Sequence, residues 1–219
     1  MFLAKEKKVK EEEPAEEEIE TVELTEEEFA EAAKSLFAEK DPVSEYRTLG
    51  LYGDINQERC SEVLASLLLY EHTEKAKPEE ERIPIEFYVS TYGGSAMDMF
   101  AVYDVVRNVQ NNCQVKTYGI GKVMSAGVLL LAAGTKGERR IGANCRVMIH
   151  GVIAGQHGNL HDVENEFEES KFIQKQYVKA LSEETNMTQS YLKKLIQRKT
   201  NVYFDAKQAV ELGIADIII

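Results

Sequence analysis

The residues best suited to chemistry lie in residues 119–134, GIGKVMSAGVLLLAAG, where a strand end, a tight glycine turn and a short apolar helix bracket one serine, Ser125. A hydroxyl at the first turn of a helix has unpaired backbone N–H groups beside it and the positive end of the helix dipole beneath it. A developing oxyanion is stabilised there, and the placement suits a nucleophile. Taken alone, the segment also admits a plainer reading in which Ser125-Ala126-Gly127 is small because a neighbouring element packs closely. The chain has four histidines. His72, His157 and His161 fall on a helix end or in polar loop sequence, which suits solvated surface roles, whereas His150 closes an apolar strand, RVMIH.

The elements that must position these groups alternate along the chain. The pattern predicts strands over residues 48–52, 83–90 and 115–120 and helices over 57–72 and 97–109, the alternation of a layered α/β domain. A charged loop is expected over 75–82. The second strand runs into Tyr92-Gly93-Gly94-Ser95, so strand, glycine turn and helix occur twice in about thirty residues and two glycine turns can lie side by side. Residues 136–141 and 146–149 read as a strand pair joined by Gly142-Ala143-Asn144. A glycine-punctuated segment, 151–158, precedes a long amphipathic helix over 161–182. Helices over 188–198 and 206–212 then enclose Asn201-Val202-Tyr203-Phe204 before a terminal apolar strand.

Residues 1–45 differ from the rest. Of the net charge of −12, residues 1–46 hold −10, from 16 Asp/Glu against 6 Lys/Arg. Residues 1–23 carry too few apolar side chains to offset the entropy of ordering them, which predicts a mobile tail. Thr25-Glu26-Glu27-Glu28 is a capping-box pattern with Leu24 and Phe29 as a hydrophobic staple, and it predicts an amphipathic helix over 25–39. The expected division is therefore 1–45, tail plus capped helix, and 46–219, the α/β domain.

Composition excludes several classes. With a pI near 4.9 and no basic stripe interleaved with aromatics, nucleic acid is not an expected partner. The longest apolar run is far short of the roughly 20 residues of a membrane span, and the start, MFLAKEKKVKEEE, lacks the apolar core of a signal peptide. Cys60, Cys113 and Cys145 are widely spaced without a CxxC pair, so neither a disulfide framework nor a metal site is expected. A cytoplasmic or equivalent reducing compartment fits.

YVSTYGGSAMDMFAVYD, GIGKVMSAGVLLLAAGTKGERR, RVMIH with its glycine-rich continuation and long helix, and AKQAVELGIADII together closely resemble the proteolytic subunit of the Clp protease, ClpP. The resemblance covers about residue 47 to the C-terminus. It implies a ClpP/crotonase-like layered α/β fold of repeated strand-turn-helix units, with a protruding strand-helix handle formed by 151–158 and the helix after it. It also implies Ser125 as nucleophile, His150 as general base, and the backbone N–H groups of Gly94 and Ala126 as the oxyanion hole. The physical logic agrees, because a serine hydroxyl needs a base of pKa near about 6.5 to take its proton and return it to the leaving amine.

At the third triad position the family's aspartate aligns with Asn201. An asparagine carbonyl can orient an imidazole but brings no charge to the imidazolium, and the same exchange in another serine protease costs about 10⁴ in turnover. Asp205, four residues on, also reads as an ordinary helix N-cap.

The resemblance implies a self-compartmentalising serine endopeptidase of two stacked heptameric rings that cleaves unfolded polypeptides, fed by an ATP-dependent AAA+ unfoldase and needing no bound cofactor or metal. Peptide would bind by adding a strand beside Gly93-Gly94. The acidic N-terminus, Glu86 in the docking strand, Tyr92 before the glycines and Lys122 in the serine turn depart from the family pattern. Two other readings stay open. One is a weak or inactive subunit that joins a catalytic paralogue in mixed rings; the other is an enoyl-CoA hydratase-like enzyme using the same paired N–H donors.

Overall fold

In strand β2 (Ile85–Thr91) every second residue is buried: Ile85, Phe87, Val89 and Thr91 face the core, while Glu86, Tyr88 and Ser90 stay partly exposed on the other face. This period of two sets the layering of the whole domain. The computed structural model describes residues 46–155 and 157–219, which form one compact unit. The tail and capped helix expected over 1–45 lie outside the described residues.

Seven strands form one sheet. β1 (Thr48–Tyr52), β2, β3 (Val115–Met124), β4 (Arg140–Ile141) and β7 (Ile217–Ile218) run in that order, all parallel. β5 (Arg146–Ile149) adds to the far end of β3 in parallel, and β6 (Val202–Phe204) pairs antiparallel with β5. Helices α1 (Gln57–Lys75), α2 (Ala96–Val109) and α3 (Ala126–Ala132) follow β1, β2 and β3. Every residue of α3 is buried, so this helix is the centre of the core rather than an amphipathic cover. α4 (Leu160–Glu184), α5 (Gln189–Gln197) and α6 (Ala206–Glu211) complete the fold, with Asn56, Ser95, Asn159, Thr188 and Asp205 as side-chain N-caps. The α/β architecture expected from sequence is present.

Several local expectations need correction. The glycine turn before Ser125 does not exist, because β3 continues to Met124. Gly121, at φ +65, forms a bulge instead: the register with β2 passes from Val89↔Gly119 to Thr91↔Val123. β4 and β5 are not a hairpin, since each pairs in parallel with a different part of β3. α1 runs past His72 to Lys75, and a single 3₁₀ turn (Glu79–Glu81) follows, where a charged loop was expected. The reason is a buried carboxylate. Glu74 is fully buried and accepts from Arg47 at 2.8 Å, Lys77 at 2.9 Å and the Ile83 N–H at 2.8 Å. Burial pushes its pKa up, but those bonds outweigh burial and hold it below the usual carboxylate range.

Residues 151–155 carry no regular structure, and the strand part of the expected handle is absent there. α4 itself is mostly exposed from His161 to Glu169, and its buried residues are Tyr177, Val178, Ala180, Leu181 and Glu184. The closing sequence phrase also finds its physical basis. Asp216 pairs with the buried Arg139 at 2.5 Å, and the Arg139 guanidinium donates onward to the carbonyls of Glu184 at 2.7 Å and Gly213 at 2.8 Å.

Among the described residues no helix is long and apolar enough to cross a membrane. All three cysteines are free and buried, and burial pushes the Cys60 and Cys145 thiols up to about 11.

Candidate active site

Ser125 occupies φ 54, ψ −123, a region in which a residue with a Cβ is strained by roughly 1–3 kcal/mol. The strain persists because the backbone is pinned on both sides. The Ser125 N–H donates to the Met148 carbonyl of β5 at 2.7 Å, and the Ser125 carbonyl accepts from the Tyr177 hydroxyl of α4 at 2.8 Å and from the Val128 N–H at 3.1 Å. Three separate segments therefore fix one sharp strand-to-helix turn with a half-buried serine at its tip. The Tyr177 phenol is buried, and burial pushes its pKa well up, so it stays a proton donor.

The glycine pair is held just as firmly. Gly93 donates its N–H to Thr91 Oγ1 at 2.9 Å, and the buried Thr91 lies between the two turns, since a Cβ on Gly127 would fall 2.4 Å from Thr91 Cγ2. The Ile55 N–H donates to the Gly93 carbonyl at 2.9 Å, and the Ser95 N–H to the Ile55 carbonyl at 2.8 Å. This bridge presses so closely on Gly94 that an added Cβ would sit 2.1 Å from the Ile55 oxygen. It uses neither polar group of Gly94. The Gly94 N–H and the Ala126 N–H, the latter an orphan of the first helical turn, have no hydrogen-bond partner among the described residues.

His150 follows the last residue of β5 and is half-buried. Its Nδ1 is bonded to the Gly151 carbonyl, which can only accept. In the neutral ring that bond places the proton on Nδ1 and leaves Nε2 as the acceptor.

Gly93, Gly94, Ser125, Ala126 and His150 line one cavity of about 450 Å³, whose apolar wall includes Met99, Val152, Ile153 and Ile173. The structure thus brings together four of the residues singled out from sequence: Ser125, His150, Gly94 and Ala126. No hydrogen bond joins Ser125 to His150.

Asn201 stands apart. The β5–β6 ladder ends with Ile149↔Val202, and one further step places Asn201 opposite His150. Yet Asn201 is exposed, has no hydrogen-bond partner among the described residues and does not line the cavity. Asp205 caps α6, accepting from the Gln208 N–H at 2.8 Å while Gln208 Oε1 accepts the Asp205 N–H at 3.0 Å, so it is occupied structurally.

Sequence reasoning missed Thr91, Ile55 and Tyr177. Their side chains or backbones hold the site, but they are core residues by type. Only the position of Thr91 next to Tyr92-Gly93-Gly94 gave any signal. At the rim, the Lys122 ammonium lies 4.7 Å from the centre of the exposed Tyr92 ring.

A family model described as Clp protease matches residues 32–219. The protein named ATP-dependent Clp protease proteolytic subunit 1 in Corynebacterium jeikeium (strain K411) is 30% identical over 173 residues, which cover 79% of this chain and 87% of that protein. Proteins of the same name from Prochlorococcus marinus (strain MIT 9312) and Leifsonia xyli subsp. xyli (strain CTCB07) are 29% and 31% identical, over 84% and 82% of their own lengths.

Proposed function

The chain belongs to the Clp protease family, and on that premise we propose that it is a serine endopeptidase subunit acting through an acyl-Ser125 intermediate. The observation that carries this reading is the meeting of a strained serine, a histidine with a free Nε2 and two unpartnered N–H groups in one cavity.

Ser125 Oγ attacks the peptide carbonyl while His150 Nε2 takes its proton. The carbonyl oxygen becomes an oxyanion held by the N–H groups of Gly94 and Ala126; a single donor of this kind lowers the barrier by about 2.7–4 kcal/mol. The imidazolium returns the proton to the leaving amine as the C–N bond breaks. Water activated by His150 then hydrolyses the ester. No metal or cofactor enters this sequence. Extended peptide pairs along Gly93-Gly94, with the apolar wall of the cavity receiving a side chain.

The relatives are named as ATP-dependent and as proteolytic subunits. Stacked heptameric rings, with the exposed half of α4 between them, and an AAA+ unfoldase supplying unfolded polypeptide extend the proposal to this chain.

One observation favours a second reading. Asn201 offers His150 neither a charge nor a hydrogen bond, which suits a weakly active subunit in mixed rings with a catalytic paralogue. Fluorophosphonate labelling of the purified protein, with Ser125→Ala as control and with native mass measured in parallel, tests both. Labelling confined to Ser125 supports the protease; absence of labelling with or without a paralogue sinks it.

A further inference from the structure

The peptide group between Gly151 and Val152 is bonded at both ends. Its carbonyl accepts from His150 Nδ1, and its N–H donates to Gln174 Oε1 on α4 at 3.1 Å. In a trans peptide these two groups point in opposite directions, so fixing the N–H fixes the aim of the carbonyl. Gly151 opens a stretch without secondary structure, where rotation of a peptide plane costs little. Gln174, by contrast, is half-buried on the regular helix α4, one turn before the buried Tyr177. The contact is close: a Cβ on Gly151 would come within 3.0 Å of Gln174 Oε1.

We infer that Gln174 is a positioning residue for the general base, holding the Gly151–Val152 peptide so that its carbonyl takes the place of the missing triad carboxylate at His150 Nδ1. This rests on the serine-protease reading above. Asn201 leaves Nδ1 without a charged partner, and a neutral main-chain carbonyl keeps the tautomer that presents Nε2 to Ser125. With Tyr177 three residues on and bonded to the Ser125 carbonyl, one face of α4 steadies both reacting side chains.

The test is steady-state peptide hydrolysis by the full-length assembled protein, together with the rate of fluorophosphonate labelling. Gln174→Leu removes the acceptor at similar volume. It should lower kcat and the labelling rate by about 10- to 100-fold, the scale of a misplacement near 1 Å, with KM unchanged. Gln174→Glu keeps an acceptor oxygen and should restore both to within about threefold of wild type. Gln174→Asn withdraws the acceptor by one methylene while keeping polarity, and it should behave as the leucine variant even if that one assembles poorly. Wild-type rates in the leucine or asparagine variant, or an equal loss in the glutamate variant, overturn the inference. An inert, unlabelled wild type overturns the protease reading beneath it instead.

Discussion

Gly93 and Ser125, 32 positions apart in sequence, meet so closely that a Cβ on Gly93 would stand 2.7 Å from Ser125 Cβ and 3.1 Å from its Oγ. Gly93 also lies at φ +108, which a residue with a Cβ rarely adopts. Gly93→Ala should therefore push the serine turn away from the Gly94 N–H. Peptide hydrolysis is expected to fall by at least about 10²-fold, because displacements near 1 Å cost that much. A folded assembly by circular dichroism and native mass, with wild-type labelling at Ser125, would contradict this.

Asn201 stands one ladder step past Ile149↔Val202, opposite His150. An aspartate there would bring a carboxylate to the ladder position facing His150, and a carboxylate favours the imidazolium. Asn201→Asp should raise kcat at least tenfold, against a cost of about 10⁴ for the reverse exchange elsewhere. An unchanged rate would mean that the Gly151 carbonyl keeps Nδ1 to itself.

Tyr177→Phe removes the hydroxyl that bonds the Ser125 carbonyl at 2.8 Å and leaves the Val128 N–H as its partner. Loss of a neutral hydrogen bond should cost about 0.5–1.5 kcal/mol of stability in urea unfolding. Because the strained turn loses one of its restraints, kcat should drop about tenfold with little change in KM. Loss of stability without any change in kcat would separate the tyrosine from the chemistry.

Arg139–Asp216 is a stability element rather than a catalytic one. Burial pushes the Asp216 carboxyl up, but the Arg139 guanidinium and the Arg139 and Gly137 N–H groups outweigh it and hold the carboxyl below its ordinary range. A carboxyl depressed in the folded state stabilises fully above its unfolded value near about pH 3.9, and that contribution disappears as pH falls through the folded value. Asp216→Asn should cost about 3–5 kcal/mol at pH 7, since Arg139 is left buried and uncompensated. The gap to wild type should narrow in acid, as read by urea unfolding at pH 7 and below pH 4.

Much of this protein was legible in its linear pattern. Alternating burial in β2, capping residues at the helix starts, the serine ahead of an unbroken apolar helix and the histidine closing β5 depend on neighbours within a few residues, so composition and spacing carry them. The same holds for Asp205, whose capping box is local. What the pattern hid depends on distant segments. Gly121 as a bulge rather than a turn follows from pairing with β2, and β4 and β5 lying separately along β3 follows from how long β3 is. The burial of Glu74 needs Arg47, Lys77 and Ile83 at once. That His150 Nδ1 meets the Gly151 carbonyl, and that Gln174 holds the same peptide, depends on α4 meeting the loop after β5. Types and periods name the candidate groups because each must suit its own turn. Which backbone carbonyl reaches an imidazole is settled by close packing between segments that share no local pattern.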